Sequence, residues 1–220
     1  NLPNVLVDCG VLLKPNVDDK GRLDDACRAT ACWREHRRAG SGGADEPDMR
    51  RMGIHVTLSF RRAEAGAIPA AQQVYRRIID YSGETVDFSR WHAENHPTPQ
   101  EVADWVEAGN LYLAADADGS IVGAVMLDHE APGGYEKPDW AIEAGPDEVL
   151  IVHVLGVSPD HRGKGVARFL LDGVIEVARE QGCRAIRLDT YVGNTPARAL
   201  YARYGFTDLG RHTLHYEGIE

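Results

Sequence analysis

The sequence predicts a mixed α/β fold of the α+β kind, with a central sheet of about seven strands flanked by four helices. Three observations carry this expectation. From Ile54 onward the apolar residues switch repeatedly between short strand-like runs and helical spacing. Helix start and stop residues fall where the spacing changes, with Thr98-Pro99-Gln100-Glu101 as a start and Gly109, Gly182 and Gly205 as stops. The nearly continuous apolar run VLIVHVLGV at 149–157 suits a strand covered on both faces.

Residues 1–51 read as an N-terminal extension and linker, poorly ordered, and residues 52–220 as the working domain. The stretch 14–51 mixes charges of both signs with small residues and ends in AGSGGADEPD, a linker composition. Cys9, Cys27, Cys32 and His36 fall in the extension, but their spacing is loose and no C-x-x-C pair exists, so no metal is expected. IHVTLSF at 54–60 opens the domain as a short strand. Ile68, Val74, Tyr75, Ile78 and Ile79 stand at helical spacing and predict a helix over 68–81. Residues 82–97 carry no clear pattern; His92 and His96 are four apart there, without the H-E-x-x-H arrangement of a metal site. Thr98 and Glu101 form a capping box with Pro99 at the first helical position, so a second helix runs to Ala108. LYLAADADGSIVGAVML reads as two strands joined at Asp118-Gly119, a strong hairpin signal. An irregular stretch rich in Pro and Gly then spans 128–148, and so long a loop inside a compact domain is usually functional.

After the strand at 149–157, Val166, Leu170, Val174, Val177 and Ala178 share one face of a helix that Gly182 ends. AIRLDTY at 185–191 is a strand, and Asn194 or Thr195 caps a helix through Tyr204. FTDLGRHTLHYEG supplies the last two strands.

Composition narrows the function. Of 220 residues, 43% are apolar and 26% charged, and no apolar run approaches the roughly 18 residues that would span a bilayer, so a membrane role is not expected. The apolar opening segment is interrupted by Asp8 and has no basic lead, unlike a signal peptide. Four cysteines, three of them in the first 32 residues, are not a disulfide framework and point to a reducing, cytoplasmic compartment. The net charge of −10 belongs wholly to residues 52–220, which carry 15 basic and 25 acidic side chains against 9 and 9 in residues 1–51. An acidic body repels phosphate backbones and attracts cations, so the expected partner is an amine and not nucleic acid.

Arg162-Gly163-Lys164-Gly165-Val166-Ala167 lies between a buried strand and the first turn of an amphipathic helix. Glycine allows close approach of a ligand, the first N–H groups of a helix have no intrahelical partner, and the helix dipole is positive there. At about 1.5–3 kcal/mol per charged hydrogen bond, three or four of them would hold a diphosphate, helped by Arg162, Lys164 and Arg168. Neither the Walker spacing nor G-x-G-x-x-G is present. The turn resembles the R/Q-x-x-G-x-G/A signature of the GNAT superfamily of acyl-CoA-dependent N-acetyltransferases, matched by Arg162, Gly165 and Ala167. A second family element, N-x-x-A-x-x-L-Y followed by G-F, is matched by Asn194, Ala197, Leu200, Tyr201, Gly205 and Phe206.

The resemblance covers about residues 54–220 and implies a GNAT-like sheet splayed between the strands at 149–157 and 185–191. Acetyl-CoA, the implied acyl donor, would lie in that opening with its diphosphate on Arg162, Gly163, Lys164, Gly165, Val166 and Ala167. The resemblance further implies that Leu155 and Val157 pair with the pantetheine through their backbone, that Asn194 touches the cofactor from the far side, and that Tyr201 is the general acid. His153 is the favoured base, on a face read as shared with Ile151, Leu155 and Val157, because an imidazole titrating near about 6.5 accepts a proton at neutral pH. Its position resembles that of a base histidine in the arylalkylamine branch, while the glutamate of other branches is replaced by Ile151. Glu130 and Glu148 are the runner-up bases, and a core histidine is the inert alternative. Tyr135 and Trp140 in the long loop would meet a cationic acceptor, or else pin the loop to the body. The expected function is direct acetyl transfer to an amine of a small molecule or peptide, with no metal; the alternative is a non-catalytic acyl-CoA sensor. A homodimer is left open.

Overall fold

The computed structural model describes residues 11–13, 57–91 and 96–214. Cys9, Cys27, Cys32, His36 and His92 lie outside them. In chain order the elements are β1 (Val11–Leu13), β2 (Ser59–Arg62), α1 (Ile68–Glu84), α2 (Pro99–Glu107), β3 (Leu111–Ala115), β4 (Ile121–Asp128), β5 (Val149–Val157), α3 (Val166–Glu180), β6 (Ala185–Leu188), α4 (Thr195–Arg203) and β7 (Phe206–Asp208). One sheet takes the order β2-β3-β4-β5-β6-β1-β7. Its neighbours are antiparallel except for β5 and β6, which are parallel and joined by α3 as a crossover. The mixed α/β class, the splayed sheet of seven strands and the four helices therefore stand as the sequence predicts.

Local chemistry explains the boundaries. The Thr98 side chain accepts from Glu101 N–H and the Glu101 carboxylate accepts from Thr98 N–H at 2.6 Å, so α2 starts on a closed capping box. His96 adds a contact to Glu101 at 3.0 Å. Burial disfavours the charged form of Glu101, but these hydrogen bonds outweigh it and hold the carboxyl below its usual range. Of the strand expected over 54–60, residues 54–56 lie outside the described residues, and the described strand is Ser59–Arg62, where Arg62 donates to the Tyr112 hydroxyl.

The second strand expected after Phe206 does not form over residues 209–214. The Asp208 carboxylate accepts from Gly210 N–H, Gly210 takes φ 89 and the chain turns away. The place beside β7 is filled by β1, from the segment read as an extension; its backbone pairs with Ala185–Leu188 on one side and Phe206–Asp208 on the other.

Side chains pack against the two faces of the sheet. α1 and α2 cover one face through Ala71, Val74, Tyr75, Ile78, Val102 and Val106, meeting Leu111, Leu113, Ala124 and Met126. α3 and α4 cover the other through Val166, Leu170, Val174 and Tyr201, meeting Val125, Leu127, Leu150, Val152 and Phe206. A smaller cluster gathers Tyr135, Val149, Ile151, Ala185 and Leu214 beneath the loop 128–148.

Candidate active site

The sheet opens at β5. This strand pairs with β6 only from Val149 to Val152, opposite Ala185 to Leu188. Beyond that point the chain leaves β6, and the Asp189 carboxylate accepts from the Tyr135 hydroxyl at 2.8 Å. Residues 153–157 then have no strand on that flank among the described residues. On the other flank Met126 faces His153 and Ala124 faces Gly156, so that Val154 and Leu155 together oppose Val125 in a bulge. Val154 takes φ 40, a strained value for a β-branched residue, and its carbonyl accepts from the Tyr75 hydroxyl of α1 at 2.9 Å. Complete burial pushes the Tyr75 phenol far above its ordinary value, so it remains a donor.

The bulge inverts the alternation of the strand. Leu155 and Val157 pack against the cluster under α3 and α4, whereas His153 lies opposite Met126, on the α1 and α2 side. His153 therefore shares a face with Ile151 but not with Leu155 and Val157, because the extra residue shifts the side-chain period by one. No periodicity could reveal this in a continuously apolar run.

The turn after β5 places Gly163 at φ 72 and Gly165 at φ 85, with open space where a Cβ would stand on either. Among the described residues, the N–H groups of Gly163, Gly165, Val166 and Ala167 meet no acceptor. They stand at the positive end of α3, beside the exposed side chains of Arg162, Lys164 and Arg168. The Arg162 guanidinium lies 4.5 Å from the centre of the Tyr81 ring. Bare N–H groups, glycine clearance and cations suit a diphosphate, and the unpaired edge of β5 suits an extended amide chain. The residues present thus fit acyl-CoA.

His153 Nε2 meets Asp128 Oδ1 at 2.9 Å, with both side chains largely buried. The runner-up Glu130 is exposed, and its N–H donates to the same Asp128 oxygen. Glu148 accepts from Gly145 N–H and meets Arg184, which hold its carboxyl below the usual range and make it a weak proton acceptor.

Tyr201 is buried in the cluster under α3 and α4, 5.5 Å from the Phe206 ring, on the sheet face opposite His153. Asn194 is the N-cap of α4, its side chain accepting from Ala197 N–H at 3.3 Å. Tyr135 is buried with its hydroxyl on Asp189, and Trp140 meets both the Tyr135 ring and the Arg187 guanidinium. Both aromatics fasten the loop 128–148 to the sheet.

The patternless segment after α1 holds features that the sequence did not disclose. Trp91 and Ile78 lie against Gly156, where a Cβ would come within 2.7 Å of Ile78. Arg90 donates to the Tyr191 hydroxyl at 3.2 Å, beyond the end of β6. Residues 85–91 therefore link the two arms of the opening. A cavity of about 490 Å³ adjoins this segment, lined by Trp91, Ile79, Ser82 and the carboxyl residues Asp80, Glu84 and Asp87. Among the described residues no group of three metal-ligating side chains occurs, and no helix is long and apolar enough to cross a membrane.

Known proteins resemble this chain in sequence and in fold. The chain is 31% identical over 126 residues to a mycothiol acetyltransferase of Arthrobacter sp. (strain FB24), covering 54% of this chain and 36% of that protein. A streptothricin acetyltransferase of Streptomyces lavendulae is 30% identical over 107 residues, 49% of each chain. The chain thus spans between about a third and a half of the length of these relatives. Among solved structures, yncA of Salmonella typhimurium, determined with its cofactor acetyl-CoA, superimposes with a TM-score of 0.52 at 19% identity, covering 72% of this chain and 94% of that one. Ard1 of Thermoplasma volcanium does so with a TM-score of 0.51 at 16% identity, covering 74% and 100%. These two show the same fold. The model of the acetyltransferase (GNAT) family matches residues 74–206, which run from α1 through the opened strand and the glycine turn to Phe206, and on that match the chain belongs to this family.

Proposed function

We propose that the protein is an N-acetyltransferase that moves the acetyl group of acetyl-CoA directly to an amine of a small molecule or peptide. One observation carries this reading: among the described residues, the flank of β5 toward β6 has no strand partner beyond Val152, and it lies beside a helix N-terminus whose first N–H groups are also bare. When bound, acetyl-CoA supplies an activated thioester. The backbone of Leu155 and Val157 aligns the pantetheine, and the turn from Arg162 to Ala167 binds the diphosphate. Asn194 closes the far side. His153 takes a proton from the amine on one face of the sheet, and Tyr201 returns one to the departing sulfur from the other. The carboxylates beside Trp91 favour a cationic acceptor, as does the acidic body. The relatives named for mycothiol and streptothricin support acetyl transfer as the reaction class and leave the acceptor to be found.

The test joins binding to turnover. Acetyl-CoA at about 100 times its dissociation constant should stabilise the protein by roughly 2.7 kcal/mol, and an amine screen should release free thiol. Gly163→Glu places a negative side chain where the diphosphate belongs and should abolish the ligand-induced shift. Because Gly163 has φ 72, the variant also loses basal stability, so the shift and not the midpoint is the readout. An undiminished shift in the variant contradicts the placement. Binding without turnover of any amine favours an acyl-CoA sensor instead.

A further inference from the structure

We propose that Asp128 is a positioning residue for His153, fixing the ring so that Nδ1 carries the free lone pair that receives the amine proton. This inference rests on the acetyltransferase reading above and adds a residue to it. Asp128 stands opposite Ile151 in the β4–β5 pairing, which makes it the diagonal neighbour of His153, within reach on the same face. The contact is 2.9 Å from Nε2 to Oδ1, with the His153 and Asp128 side chains only 16% and 11% exposed. The backbone N–H of Glu130 donates to the same oxygen at 2.9 Å and anchors the carboxylate. No lysine or arginine pairs with Asp128 among the described residues, so its charge is directed at the imidazole.

The groups on surrounding elements are otherwise engaged. Tyr75 of α1 donates to Val154, and His129 contacts the Val149 carbonyl. Toward β6, Arg187 donates to the Ile142 carbonyl and Asp189 accepts from Tyr135. A carboxylate accepts only, so it selects the tautomer with the proton on Nε2 and leaves Nδ1 open. The carboxylate also stabilises the imidazolium that forms when the proton arrives. The step balances over this pair, Tyr201, the two substrates and solvent. The amine nitrogen bonds to the acetyl carbon as its N–H proton passes to Nδ1. The carbon–sulfur bond then breaks, the thiolate takes a proton from Tyr201, and solvent accepts the proton held by His153 and returns one to the Tyr201 phenolate, which restores both groups.

Two measurements test the assignment. Ring ¹⁵N NMR of His153 should show the neutral ring protonated on Nε2, and Asp128→Ala should lose that preference. With an accepted amine, Asp128→Asn should lower kcat about 10- to 100-fold while leaving the KM for acetyl-CoA unchanged. In a His153→Gln background the same substitution should have almost no further effect, because the two act as a unit. A structural role alone would give equal losses in both backgrounds and would overturn the proposal, as would full kcat in Asp128→Asn or a ring protonated on Nδ1. A wild-type protein that binds acetyl-CoA yet acetylates no amine overturns the enzyme reading itself, and with it the catalytic use of the pair, whatever the ring spectra show.

Discussion

Tyr75 holds the bulge of β5 from a helix that precedes it by 79 positions. Its ring also lies against Trp91 and Trp105 at centroid distances of 5.8 and 6.1 Å. Tyr75→Phe keeps these ring contacts and leaves the Val154 carbonyl without its donor, so urea unfolding should show a loss of about 1–2 kcal/mol. Tyr75→Ala removes the ring as well and should cost about 3–5 kcal/mol. A neutral Tyr75→Phe would mean that the hydroxyl does not support the bulge. The sequence marks Tyr75 only as an apolar position of α1, since nothing local announces a partner so distant. Asp128 escaped for the same reason: it closes a strand and opens a loop, and only the β4–β5 register brings it to His153. The glycine turn was legible because its chemistry is local, with backbone N–H groups, glycines and cations in consecutive residues.

Elements with local start signals follow the sequence closely, α2 above all. Its cap also predicts a pH response. The folded-state carboxyl of Glu101 lies below its usual range, so its contribution is present at neutral pH and is lost as the pH falls through that lowered value. Glu101→Gln should therefore destabilise the protein at pH 7, and the difference should shrink at a pH well below the carboxylate range, as read from urea midpoints of both proteins. An equal loss at both values would show that the carboxylate charge contributes nothing. Thr98→Ala should cost about 1 kcal/mol at either pH, because a hydroxyl cap does not titrate. Strands were less legible. β6 ends at Leu188 although the apolar pattern continues to Tyr191, because parallel pairing with β5 ceases there and Asp189 turns to Tyr135. The missing strand after Phe206 depends on a competitor far away in sequence.

That competitor is β1. We propose that residues 52–220 retain the fold without it, since among the described residues both helical clusters are built from side chains beyond 52. A chain beginning at Met52 should unfold cooperatively and bind acetyl-CoA, yet be less stable by a few kcal/mol, at about 1 kcal/mol per lost hydrogen bond. Loss of a cooperative transition would make β1 an obligatory part of the sheet. The sheet is also a partition. His153, Asp128 and Tyr75 lie on the side of α1 and α2, whereas Leu155, Val157 and Tyr201 lie on that of α3 and α4, and the turn touches both, with Val166 in the cluster under α3 and Arg162 over the Tyr81 ring of α1. Substitutions deep in one cluster do not share packing partners with those deep in the other, so their free energies should add. If the acceptor enters beside Trp91, as the carboxylates there favour under the reading proposed above, exchanging residues that border that cavity should change which acceptor is taken while acetyl-CoA binding at the turn persists, so that donor and acceptor recognition would be separable.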